Sequence, residues 1–241
     1  MERHKEYSSH IDSNIVVLFV HGIMGSPEMF RVYTEKLEGK YSYESLLLPG
    51  HGKTLREFAA SSMEEWQKYV DDRVKVLEKK YKKIYIAGHS LGCLLAMKTA
   101  SEHQHTVKGL FLISPPLKLR MTASYFINNM KVLRSPKRDN NMIATARKVT
   151  SVATASAVKY LGAIPRYREL LHKIKQSREL ISYLHNDIYI IYPSNDEIVS
   201  FESVKMFYWD AGLYIARDST HYCFPPQEQE IIAQKLVSFI R

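Results

Sequence analysis

Residues 83–92 read KIYIAGHSLG. Ile84, Tyr85, Ile86 and Ala87 make an apolar run of strand length, and the chain then sets Ser90 between Gly88 and Gly92, where a side chain can pack almost nothing. LGCLLAMKTASEH (91–103), a helix-forming run, follows at once. GHSLG therefore fits G-x-S-x-G at the junction of a strand and a helix, the sharp turn that lifts a serine hydroxyl above the edge of a sheet. The glycines are required because side chains there collide with the neighbouring strand and helix. A helix that starts at the serine also aims unbonded N–H groups and the positive end of its dipole at whatever forms on that hydroxyl. The competing account is a glycine-rich turn without chemistry; the placement between strand and helix favours the chemistry.

A serine hydroxyl is a weak nucleophile and needs a base, itself oriented by a carboxylate. In this arrangement the chain order is Ser, acid, His, with each partner on a loop after a later strand. DIYIIYP (187–193) is a strand run followed by SNDEIVS, which carries Asp196, and GLYIAR (212–217) is followed by DSTHYCF, which carries His221. Ten histidines are present, so it is the position four residues past a strand that singles out His221. Asp196 is favoured as the acid because it lies nearer its strand end. Glu197 is the close competitor and Asp218 a weaker one. Acyl transfer also needs donors for the developing oxyanion. One is the backbone N–H of the residue after the serine, Leu91. The other is expected from the loop after an early strand: IVVLFV (15–20) runs into HGIMGS (21–26), which positions the N–H of Ile23 and leaves His21 as a structural turn residue.

Further apolar runs at 43–49 and 107–114 complete a set of at least six strands, each suited to burial on both faces, as in a parallel sheet. Helical spacing recurs between them: Ser62 and Glu65 open a helix through Trp66, Val70, Val74 and Leu77, and a last one fills 227–241. The fold class expected is α/β, a doubly wound, mostly parallel sheet with right-handed crossovers. After Pro115 and Pro116 about seventy residues pass before the next strand, too many for an unstructured loop. We read 116–185 as a helical cap inserted into a core of 1–115 and 186–241, with a helix starting near Pro165.

The 241 residues carry a net charge of +9, unevenly spread. Between Pro116 and Leu180 there are 14 Lys and Arg against 3 Asp and Glu, which leaves the remainder slightly acidic. This basic insertion admits two readings: a solvated face, or contact with an anionic substrate or an anionic membrane surface. Nucleic acid is the least favoured partner because no reader motif accompanies the charge. No apolar run reaches the roughly 20 residues of a membrane span. The polar start lacks the plan of a secretory signal, so a cytoplasmic location is expected. Cys93 and Cys223 are too few and too far apart for a disulfide framework. Oligomeric state is not legible.

Taken together, HGIMGS, LLLPGHG (46–52), GHSLG, NDEIV and STHY resemble the motifs of the α/β-hydrolase superfamily, and more narrowly its small carboxylesterases and monoacylglycerol-lipase-like members. The resemblance implies Ser90 as nucleophile, His221 as base, Asp196 as orienting acid, and Ile23 and Leu91 as oxyanion donors, with no metal or organic cofactor. It implies a small-molecule acyl ester as substrate, short- to medium-chain or monoacylglycerol-like. A thioesterase, lysophospholipase or acyltransferase would use the same residues, and a noncatalytic ligand receptor could retain them. Many relatives have a second glycine after the elbow, where this chain has Cys93. The insertion sits where the superfamily places its lid, with Met121, Tyr125, Phe126 and Met130 as candidates to line an acyl pocket beneath it; ordinary core packing is the competing account.

Overall fold

Along Ile15–Val20 the side chains alternate between two buried clusters: Val16, Leu18 and Val20 join one, Val17 and Phe19 the other. A strand buried on both faces must be covered on both, and the rest of the chain does this. The structure is a computed structural model that describes residues 4–120, 150–152, 162–207 and 211–241. Its seven strands are β1 (Tyr7–Ser9), β2 (Ile15–Val20), β3 (Ser42–Leu46), β4 (Lys83–His89), β5 (Val107–Ile113), β6 (Asp187–Pro193) and β7 (Gly212–Ala216). They lie in the order β1-β3-β2-β4-β5-β6-β7. All neighbours are parallel except β1, which pairs antiparallel with β3 at the edge. The sheet has one strand more than the six apolar runs, because β1 is three residues long and only half-buried.

Six helices are described: α1 (Arg31–Glu35), α2 (Leu55–Ala60), α3 (Met63–Leu77), α4 (Leu91–Glu102), α5 (Ile164–Leu180) and α6 (Pro226–Phe239). The first cluster buries α3, α4 and α5 against the sheet through Trp66, Val70, Leu94, Met97 and Ile174, and the second buries α1 and α6 through Tyr33, Ile232 and Leu236. Start signals are local. Thr54 and Glu57 form a reciprocal capping box at α2, the Ser62 hydroxyl accepts from the Glu65 N–H at α3, and Pro165 stands in the first turn of α5. Within 116–185 the described structure is α5, a short 3₁₀ turn at Ile181–Tyr183, and the segments 116–120 and 150–152. Among the described residues no helix is long and apolar enough to cross a membrane.

From β2 the chain first moves outward to β3 and then crosses back to β4 on the other side. The carboxyl ends of β2 and β4 thus flank the point where the winding reverses. Crossover connections leave from opposite faces at such a point, and open α/β sheets bind their ligands there. The loops carrying Ile23 and Ser90 both start at this point.

Candidate active site

Ser90 follows β4 with φ 50° and ψ −119°, outside the regions an L-residue prefers. The turn holds because nothing else fits. A Cβ on Gly92 would stand 1.9 Å from the carbonyl oxygen of Val20, and one on Gly88 would stand 2.6 Å from the Cys93 nitrogen. The Ser90 N–H donates to the Ile113 carbonyl at 2.9 Å, tying the turn to the neighbouring strand. Cys93 is fully buried, and its thiol donates to the carbonyls of Gly88 and Ile113, so the cysteine sits inside the turn and braces it. Strain of this kind survives only where the surroundings over-determine it.

His221 and Asp196 lie on the loops after β7 and β6 and are brought together: Nδ1 of His221 is 3.0 Å and 3.2 Å from the two carboxylate oxygens. Both side chains are cut off from solvent. Asp196 also accepts from the N–H groups of Ile198 (2.9 Å) and Val199 (2.8 Å). Burial pushes the Asp196 carboxyl up, but the His221 charge and hydrogen bond and these two amides overcome it, and it titrates below the ordinary carboxylate range. Burial pulls the His221 imidazole down, yet the Asp196 carboxylate beside it and Glu197 reverse this and leave it above the ordinary histidine value. Glu197 takes another place: one of its oxygens accepts from the His221 N–H at 3.1 Å.

Nε2 of His221 is buried and has no hydrogen-bond partner, so the Ser90 hydroxyl is not bonded to it in this arrangement. The two are nonetheless linked through the residue between them. Nε2–H of His89, adjacent to Ser90, donates to the His221 carbonyl at 2.8 Å, and the two imidazole centroids are 4.9 Å apart. Burial, then the neighbouring His221, holds the His89 ring neutral by lowering its pKa to about 3.

The loop after β2 comes equally close. A Cβ on Gly22 would meet the Ser90 Cβ at 3.0 Å. The Gly22 carbonyl accepts from His21 Nδ1 (2.8 Å) and from the Gly25 N–H (2.9 Å). The peptide unit is planar, so fixing that carbonyl also fixes the Ile23 N–H on its far side. The Met24 N–H donates to Nε2 of His51 at 3.1 Å. Ile23, between these residues, offers the amide that none of these bonds uses. Leu91 opens α4, where first-turn N–H groups have no partner four residues back. His21 and His51 are buried side by side, and burial holds both well below the ordinary histidine value, His51 at about 4. His51 stands in LLLPGHG, but nothing in that stretch alone shows its ring reaching back across the sheet edge. Met121, Tyr125, Phe126 and Met130 lie outside the described residues.

The family model described as alpha/beta hydrolase fold matches residues 15–237, and the chain belongs to this family. It is similar in structure to one of the metagenome-derived lipolytic enzymes LipS and LipT, with a TM-score of 0.76 at 21% identity over 98% of this chain and 97% of that one. It is also similar to the monoacylglycerol lipase of Paleococcus ferrophilus, with a TM-score of 0.69 at 17% identity over 99% and 100%. In sequence, the probable lysophospholipases BODYGUARD 4 and BODYGUARD 3 of Arabidopsis thaliana are 29% identical over 116 residues and 33% identical over 106 residues. Those stretches cover 46% and 42% of this chain but only 27% and 21% of the relatives.

Proposed function

We propose that this protein is a serine hydrolase that cleaves carboxylic esters through an acyl-enzyme. The observation that carries the reading is the dry Asp196–His221 pair, with a free Nε2, beside a strained Ser90 at the reversal point of the sheet. Ser90 attacks the ester carbonyl as Nε2 of His221 takes its proton, Asp196 holds the imidazole by Nδ1 and balances its charge, and the N–H groups of Ile23 and Leu91 receive the oxyanion. His221 then protonates the leaving alcohol, and water, activated by the same imidazole, releases the acid. An unbonded imidazole nitrogen fits a resting enzyme, since such hydrogen bonds are often loose until substrate arrives.

Short- to medium-chain or monoacylglycerol-like esters are the proposed substrates, supported by the lipase and esterase neighbours in structure. A lysophospholipid is the second reading, favoured by the curated relatives and by the basic insertion, which suits an anionic or zwitterionic headgroup. The 116–185 insertion is proposed as the lid, with peripheral contact to anionic membranes through its charge. Nitrophenyl esters and monoacylglycerols of increasing acyl length, with lysophosphatidylcholine beside them, separate these readings. Hydrolysis of at least one member, with fluorophosphonate labelling that disappears in Ser90→Ala, is the expected result. A uniformly inactive panel and an unlabelled wild type overturn the enzyme reading in favour of a ligand receptor.

A further inference from the structure

The loop that offers the Ile23 amide is held on three successive peptide units. The Gly22–Ile23 unit is fixed at its carbonyl by His21 and Gly25, and the Ile23–Met24 unit is fixed at its N–H by His51. The third anchor comes from the insertion. Ser151 N–H donates to the Met24 carbonyl at 2.9 Å, and the Ser151 hydroxyl reaches the carbonyls of Met24 (3.4 Å) and Gly25. Ser151 is fully buried, and Val152 after it is packed in the main core cluster, so the anchor is fixed on the core side as well. Tyr167 of α5 adds a contact to the same residue, its hydroxyl donating to Met24 Sδ at 3.6 Å.

This grip acts at a strained place. Met24 has φ 54°, a left-handed conformation that costs a non-glycine residue about 1 kcal/mol or more and reverts unless its surroundings impose it. With His51 on its N–H and Ser151 on its C=O, Met24 is pinned at both ends from two different parts of the chain, 27 and 127 residues away. Without the Ser151 hydroxyl, the Gly25 carbonyl loses this bond and the Met24 carbonyl keeps only the Ser151 N–H, so the grip on the turn falls from three bonds to one.

We propose that Ser151 is a positioning residue for the reaction: by holding the carbonyls of Met24 and Gly25 it keeps the Ile23 N–H aimed at the oxyanion that forms above Ser90. The inference rests on the proposed acyl transfer, with Ile23 as an oxyanion donor. Its consequence is that the insertion takes part in stabilising the oxyanion and does more than enclose the substrate.

The test compares wild type, Ser151→Ala and Ser151→Thr on p-nitrophenyl acetate, with inhibition by an aryl trifluoromethyl ketone, whose adduct with the serine carries an oxyanion. Ser151→Ala should lower kcat about tenfold with KM within about twofold, since a displaced donor loses part of the 10²–10³ a donor supplies. The inhibitor should weaken by a factor close to the fall in kcat, and hydrogen exchange in peptides spanning 21–26 should quicken in the folded protein. Ser151→Thr, which keeps both donors, should stay within about threefold of wild type. A Ser151→Ala enzyme with wild-type kcat and inhibitor affinity overturns the inference, whether or not its Tm falls, and so does a Ser151→Thr enzyme as slow as Ser151→Ala. A wild type that neither hydrolyses esters nor reacts with a fluorophosphonate overturns the proposed function along with it, whereas an active wild type isolates the question to Ser151.

Discussion

The elbow around Ser90 and the loop around Ile23 meet at one sheet edge, yet they are held by different means. At the elbow backbone meets backbone, and Gly88 and Gly92 are there because any Cβ would enter another atom. In the Ile23 loop the backbone is held by side chains from elsewhere, His51 and Ser151. The loop bearing His221 is of the second kind, fixed by Asp196, Glu197 and His89. A sterically held turn tolerates no substitution but needs few partners. A hydrogen-bonded loop tolerates substitution and loses accuracy by degrees.

The largest effect expected from this difference is in a hydrogen-bonded loop, where accuracy is everything. Asp196→Asn should fold normally and lose on the order of 10⁴ in kcat, because the amide favours the wrong imidazole tautomer; steady-state kinetics beside circular dichroism checks both halves. Gly92→Ala should do the reverse, costing about 3 kcal/mol in urea unfolding as α4 is pushed from β2. An alanine variant of wild-type stability would break the comparison. His51→Ala should leave the protein folded and lower kcat roughly 10-fold with little change in KM, because Met24 loses its acceptor.

The histidines shift in opposite directions, yet activity and stability should both rise with pH. The role proposed for His221 requires a neutral ring, and its pKa is raised above the ordinary value of 6.5, so kcat/KM should rise with pH through a midpoint above 6.5. His51 and His89 titrate near 4 and 3 when folded, below the value of the unfolded chain. As pH falls below about 6.5 the unfolded state takes up protons that the folded state refuses. Stability should therefore drop toward pH 4, by at most about 1.4 kcal/mol per pH unit for each ring. Thermal melts from pH 7 to pH 4 read this, and His51→Gln should flatten the slope.

What could be read from the chain follows the same division. The elbow, the strand runs and Asp196 and His221 on loops just past strand ends are consequences of local order, and they are where the sequence places them. β1 has too few residues and too little burial for a periodic signal. The Thr54–Glu57 capping box was available in the sequence as a start signal for α2, a short helix the apolar spacing does not reveal. Position near the strand end favoured Asp196 over Glu197, but the separate task of Glu197, on the His221 N–H, is not visible in spacing, since adjacent residues of one loop turn to different partners. The parts played by His51, His89 and Ser151 are made by contacts between residues 27 to 132 positions apart, and no short stretch encodes them.

Helix α5 lies between β5 and β6, and its attachments are those of an interior element. The Lys173 ammonium, its pKa lowered by burial to about 8, donates to Gln67 of α3, and Gln67 in turn donates to Asp71 and to Thr99 of α4. Arg178 and Glu169 bind backbone groups of Leu117 and Met63. Lifting this helix would take away the donors that satisfy the Gln67 side-chain oxygen and the Leu117 carbonyl and the acceptor of the Met63 N–H. The helix is thus moored to its neighbours at three points along its length, a fixed post rather than a moving part.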